Sequence, residues 1–256
     1  MKNQQKEILP YLAFIRLCRR YEWLLKVPIL HLLQKQHKIL SRKEYFKEVM
    51  RSVGKKPKED YEFYKNEILS NTLLRRNYLH AIETGELKQK YKNYDDRFDN
   101  EANIVPYYAL LREIQPNIVV ETGTASGSMT SWMLAALYKN GHGKLISIDL
   151  PAVQGKLTMD ITVEKSKIGF LIPHEFHSLW ELKLGDAKLL LPKILGEYDV
   201  DVFVHDSLHT RTHMLYEYHV AHALMRPGSI IISDDILWNM AFFDFMALQC
   251  WACLKT

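Results

Sequence analysis

The sequence predicts an α/β protein: a doubly wound, mostly parallel sheet preceded by a helical N-terminal block. Three observations carry this. From about residue 104, short β-branched runs alternate with helical stretches. A glycine-punctuated turn follows the first run and opens a helix. The first, second, fourth and fifth runs each end in or precede an acidic residue, and ligands of such sheets bind at the carboxyl ends of the strands. A chain of 256 residues with 47% hydrophobic content can bury the core this requires, as one domain over residues 101–256 with an appendage over residues 1–100.

In chain order, the appendage comes first. Tyr11, Phe14, Ile15, Cys18, Tyr21, Leu24 and Leu25 recur at three and four, the spacing of a helix. "VGKKPKED" (53–60) breaks the block with Gly, Pro and charge, and "YKNYDDRFDNEAN" (91–103) closes it. The strands follow as "NIVVE" (117–121), "KLISID" (144–149), "WELKLG" (180–185), "VDVFVH" (200–205) and "SIIIS" (229–233).

Charge separates the two blocks. Residues 1–58 hold fifteen Lys and Arg against four Asp and Glu, whereas the whole chain is only +4. Such a basic arm reads first as a solvated helical cap; contact with an anionic membrane surface is the alternative. Nucleic acid is not indicated, since no recognised binding motif accompanies the charge. Cys18, Cys250 and Cys253 make no disulfide framework, and the lone Cys250-x-x-Cys253 pair has no second half, so a reducing compartment is expected. No run reaches the roughly eighteen uncharged apolar residues of a membrane span, and no cleavage site follows the apolar opening. A cytoplasmic protein, peripheral to a membrane at most, is the expectation.

The chemistry concentrates in "VVETGTASGSMTSWML". Gly123 and Gly127 let the backbone turn and approach a ligand, while Thr124, Ser126 and their neighbours lead into a helix N-terminus that favours a carboxylate or phosphate. The spacing is neither that of dinucleotide binders nor that of a P-loop. Glu121, just before the turn, would repel a pyrophosphate and suit a cation. Asp149 closes the second strand, where a carboxylate can hold ribose hydroxyls, and Asp186 follows the third, where it can face an adenine. Singly these are ordinary turn or cap residues. Together they fit a sulfonium cofactor with an amino-acid end and an adenosine end, S-adenosylmethionine.

"ETGTASGSMTSWML", "ISIDLP", "GFLIPHEFHSLWELKLGDA", "FVHDSLHT" and "LMRPGSIIISDDILWNMAFFDF" resemble class I S-adenosylmethionine-dependent methyltransferases of the cephalosporin-hydroxylase and macrolide-sugar O-methyltransferase group. The resemblance covers about residues 104–248 and leaves out the basic block. It implies a Rossmann-like methyltransferase sheet and O-methyl transfer to a sugar or other diol-containing small molecule. Asp206, Asp234 and Asp235, at the mouths of two neighbouring strands, make a hard oxygen set suited to Mg²⁺. The resemblance gives the same three residues the metal and makes His209 the base. His205, His209 and His213 are spaced by four, yet the first belongs to a strand end and the third to the next helix, so they do not form a zinc helix. His205, His213, His219 and His222 are assigned to packing or surface, and Trp238 to a wall of the acceptor pocket or to the core.

Two other readings stay open. A hydroxylase of the same family would want two histidines and one carboxylate where this chain offers mostly carboxylates, and a cofactor-binding interaction protein would lack turnover. The C-terminus departs from the pattern. Instead of two further strands, "MALQCWACLKT" supplies one short strand at most, so either the N-terminal block or an oligomeric partner covers the sheet edge, or the sequence is shortened and loses activity.

Overall fold

A computed structural model describes residues 13–16, 41–86, 104–151, 164–236 and 238–254; at 13–16 and 248–254 the description is of backbone alone. Its elements are β1 (Ala13–Arg16), α1 (Arg42–Ser52), α2 (Tyr61–Leu69), α3 (Thr72–Glu83), α4 (Ile104–Ile114), β2 (Ile118–Thr122), α5 (Ser128–Asn140), β3 (Lys144–Asp149), β4 (Trp180–Leu184), α6 (Ala187–Glu197), β5 (Val202–His205), α7 (Arg211–Leu224), β6 (Ile230–Ser233) and α8 (Ala241–Leu254). The five expected strands are all present, within two residues of their expected bounds.

The sheet has six strands in the order β1-β6-β5-β2-β3-β4. β2 to β6 are parallel, and β1 runs antiparallel along β6 with Ala13 opposite Ser233 and Arg16 opposite Ile230. The chain proceeds outward from β2 through β3 to β4, then returns to place β5 on the other side of β2. That reversal opens a crevice at the carboxyl ends of β2 and β5, the place where open parallel sheets bind ligands.

Successive strand residues alternate between two cores. Val119, Leu145, Val202, Val204, Ile230 and Ile232 face one layer with α1 to α5, while Val120, Ile146, Ile148, Phe203 and Ile231 face the other with α6, α7 and α8. Burial on both faces is why these strands read as near-continuous apolar runs. Buried residues of α1 to α3, among them Phe46, Ile68 and Tyr78, join the first core directly. Local chemistry sets these helix starts: Ser41 and Glu44 form a capping box for α1, Asp60 caps α2 and Asn71 caps α3. The break at 53–60 falls between α1 and α2 as expected. The closing stretch 91–103, the division near residue 100, and the parts of the basic arm at 1–12 and 17–40 lie outside the described residues.

Two expectations are corrected. Residues 13–16 are a strand, not part of a helix, because β6 would otherwise leave a row of backbone N–H and C=O groups unpaired. The N-terminal block thus covers the sheet edge, one of the two solutions foreseen. The C-terminal segment is helix α8, not a strand; with β1 on the edge, that segment is free to pack its Phe242, Phe245 and Met246 beside α7. Among the described residues no helix is long and apolar enough to cross a membrane.

Candidate active site at the mouths of β2, β3, β5 and β6

The turn after β2 is built from its glycines. Gly123 has φ +87°, and a Cβ there would lie 1.9 Å from the carbonyl oxygen of Asp206. Only glycine permits this approach, which sets the turn directly against the segment leaving β5. The turn is further pinned by the Gly123 N–H donating to the Ile148 carbonyl (2.8 Å). Gly127, in the left-handed conformation at the N-cap of α5, packs on Gly169 and Ile172. The segment bearing Gly169 closes over the turn: Gly169 N–H donates to Ala125 O and Leu171 N–H to Ser126 O, each at 2.9 Å. That segment is held in turn by Asn77 of α3, whose side-chain amide donates to Phe170 O (3.2 Å).

Asp149, at the end of β3, meets the turn. Its Oδ2 accepts from the N–H groups of Thr124 (2.6 Å) and Ala125 (2.7 Å), and Oδ1 has no donor among the described residues. Thr124 is buried, and among the described residues its Oγ1 has no hydrogen-bond partner. Buried hydroxyls are normally satisfied, so this atom marks a place for a ligand group. Gly123, Thr124, Ser126, Gly127 and Asp149 are therefore brought together.

Glu121 and Asp186 stand apart from that group. Glu121 is fully buried between α5 and β3, accepting from Thr130 Oγ1 (2.9 Å) and Ser147 Oγ (2.7 Å). Burial pushes its carboxyl up to about 8, over the lowering by those two hydroxyls and with Asp149 adding to the rise. A protonated side chain beneath the turn supports β2 and does not present a charge to a cation. Asp186 is exposed and caps α6 by accepting from the Lys188 N–H (2.8 Å).

Across the crevice, Asp206 follows β5 and its N–H donates to Thr122 O (2.9 Å). His209 is three residues on, with Nε2 3.9 Å from Asp206 Oδ1, beyond hydrogen-bond length. The exposed Trp238 ring lies over His209 with centroids 6.4 Å apart. Asn239 ties the two loops together by donating to His209 O (3.0 Å). Asp234 and Asp235 follow β6; the Asp235 N–H donates back to Asp234 Oδ1 (2.9 Å), and Asp235 has φ +48°. Tyr45 of α1 and Tyr107 of α4 come close to this mouth: burial pushes both hydroxyls well up, and the charge of Asp234 adds to each. Among the described residues no three of His, Cys, Asp and Glu converge to hold a metal ion.

The histidines placed in packing roles hold a surprise. His205 at the end of β5 and His213 on α7 both bond to Glu217, which sequence reading passed over, although His213 and Glu217 are spaced by four on one helix. The rings of His205 and His209 meet edge to face at 5.3 Å. No zinc helix results, since a strand, a loop and a helix supply the three histidines.

Residues 120–236, which carry the turn after β2 together with Asp149, Asp206, His209, Asp234 and Asp235, match the family described as a methyltransferase domain. Solved structures to which the chain is similar include a methyltransferase from Podospora anserina bound to SAH, 10% identical over 72% of this chain and 80% of that one with a TM-score of 0.46. The O-methyltransferase TomG from Streptomyces achromogenes, involved in tomaymycin synthesis and in complex with SAM, is 20% identical over 68% and 70% with a TM-score of 0.43. An O-methyltransferase from Bacillus cereus in complex with SAH is 17% identical over 66% and 68% with a TM-score of 0.42. No curated protein sequence matches the chain. Over residues 120–236 the chain is thus similar to methyltransferase domains, and the parallel strands β2 to β6 give that stretch a Rossmann-like sheet.

Proposed function

We propose that the protein transfers a methyl group from S-adenosylmethionine to a hydroxyl oxygen of a small molecule, with a sugar or other vicinal diol as the acceptor class. One observation carries this reading: Gly123 lets the turn after β2 touch the backbone of Asp206, so a cofactor-binding turn and an Asp–His pair share one crevice.

The residues fit the cofactor. The amides at the start of α5 suit its carboxylate end. The unpartnered Thr124 Oγ1 offers a further hydrogen bond, and Asp149 keeps Oδ1 for ribose hydroxyls. When bound, the cofactor supplies an electrophilic methyl group on sulfur. Asp186 is occupied as a helix cap, so its expected adenine contact would have to come from its exposed flank.

The chain's own work lies on the other side. His209 takes the proton from the acceptor hydroxyl, and Asp206 beside it stabilises the imidazolium that forms. Trp238 over the His209 ring gives the acceptor an apolar wall. Holding oxygen and methyl carbon in line provides much of the acceleration. For Mg²⁺, the donor chemistry of Asp206, Asp234 and Asp235 is suitable, but their arrangement is not: no three carboxylates converge among the described residues, and Asp234 is engaged by the Asp235 N–H.

The test is calorimetry with S-adenosylmethionine, followed by transfer of labelled methyl to a panel of sugars and catechols. Saturable binding and label on oxygen are expected. A wild-type protein that binds no S-adenosylmethionine would overturn the reading.

A further inference from the structure

Glu217 sits on α7 with no exposed surface, in a place where nothing in the proposed reaction uses it. Four side chains bond to its carboxylate. Oε2 accepts from Thr122 Oγ1 (2.7 Å) and His205 Nδ1 (2.6 Å), and Oε1 from His213 Nε2 (2.8 Å) and Ser207 Oγ (3.1 Å). Burial alone would push this carboxyl up; His205 and His213 outweigh it and hold the carboxyl well below the usual range. An ionised carboxylate only accepts, so both histidine nitrogens facing it are N–H donors.

The four donors are not a random sample of the core. Thr122 ends β2 and precedes Gly123, His205 ends β5 and precedes Asp206, and Ser207 follows Asp206. His213 lies one turn from Glu217 on α7. His205 also presents its ring edge to His209, and its Nε2 is buried with no hydrogen-bond partner among the described residues. A single charge therefore grips the ends of both strands that flank the crevice and the turn between β5 and α7.

We propose that Glu217 is the positioning residue of the acceptor side, fixing through Thr122, His205, Ser207 and His213 the turn that carries Asp206 and His209. This rests on the reading of Asp206 and His209 given above. The requirement is for a carboxylate. The substitution Glu217→Gln would leave one accepting oxygen and turn an NH₂ group toward the other pair of donors, releasing either the strand ends or the Ser207 turn.

The test uses the full chain at one fixed pH. Imidazole Cε1–H resonances of His205 and His209, assigned by single substitutions, are compared in wild type, Glu217→Gln and Asp201→Asn. Asp201 is the control because it staples the same two strands at their opposite end, accepting from the N–H groups of Asn117 (2.7 Å) and Ile118 (3.1 Å). The expected result is that Glu217→Gln moves the His209 resonance further than Asp201→Asn does, whichever variant is the less stable. A His209 resonance at its wild-type position would overturn the proposal and leave Glu217 a core staple. Should Glu217→Gln not fold, Ser207→Ala, which removes one donor near the surface, decides the matter by the same criterion. Calorimetry of the wild type with S-adenosylmethionine is the separate arm: its failure removes the methyl-transfer reading, whereas the His209 resonance reports on positioning alone.

Discussion

The proton on Glu121 matters more to the fold than the charge the residue can carry. Its carboxyl titrates near 8 in the folded chain and near 4.5 when free, so between these values the folded state binds more protons than the unfolded one. The stability it contributes is full below about pH 4.5 and is lost as pH rises toward 8. Glu121→Gln, neutral throughout, should therefore gain on the wild type as pH increases. Melting temperatures at pH 5 and pH 8 check this: the gap between variant and wild type should widen at pH 8, and a constant gap would contradict the burial assigned here. Gly123 gives a second residue-scale prediction. Gly123→Ala meets both a positive φ and the Asp206 carbonyl, whereas Gly141→Ala meets a positive φ of 76° with nothing within 4 Å. Urea titration should show Gly123→Ala costing at least about 2 kcal/mol more than Gly141→Ala, the difference being the collision. Equal costs would mean that the turn does not touch the β5 loop.

At the scale of elements, what could be read ahead depended on whether the signal was local. β2 to β6 were legible because burial on both faces writes apolar runs, and the turn after β2 because its glycines have few other uses. β1 was not. Ala13, Phe14, Ile15 and Arg16 sit in a stretch with helical spacing, and what makes them a strand is the free edge of β6, more than two hundred residues away in sequence. α8 departs from the expected short strand because its sequence, apolar apart from Asp244 and Gln249, has no strand alternation. Glu217 was missed for the same reason as β1: its four partners come from β2, β5, the following turn and its own helix, and only the last is visible locally. The β1 pairing makes its own prediction. Along an antiparallel edge, successive N–H groups point alternately toward the neighbour and toward solvent. Of Phe14→Pro and Ile15→Pro, one should therefore speed hydrogen exchange in the Ile230–Ser233 amides and the other should not. Equal exchange in both variants would argue against the strand.

At the scale of the whole molecule, the sheet divides the proposed reaction between its two directions of travel. β2 and β3 bring the turn and Asp149, and β5 and β6 bring Asp206, His209, Asp234 and Asp235; Asn77 of α3 bonds to the segment over the turn on one side, while the buried hydroxyls of Tyr45 and Tyr107 feel the charge of Asp234 on the other. Such a division predicts that damage to one side leaves the other working. Asp149→Ala should weaken S-adenosylmethionine binding by about 1–3 kcal/mol, the worth of lost charged hydrogen bonds, with the folded chain otherwise intact. His209→Ala should bind the cofactor as the wild type does and lose about a hundredfold or more in methyl transfer, the usual scale of a missing general base. Calorimetry and labelled-methyl transfer on the same preparations separate the two, and a His209→Ala variant that failed in binding instead of turnover would break the division. Chelation adds the remaining arm. Proton removal by His209 next to Asp206 predicts turnover that survives chelator. Activity lost in chelator and restored by Mg²⁺ in the wild type, together with a Mg²⁺-dependent rise in melting temperature absent from Asp206→Ala, would instead mean that Asp206, Asp234 and Asp235 swing together around a cation once the acceptor binds.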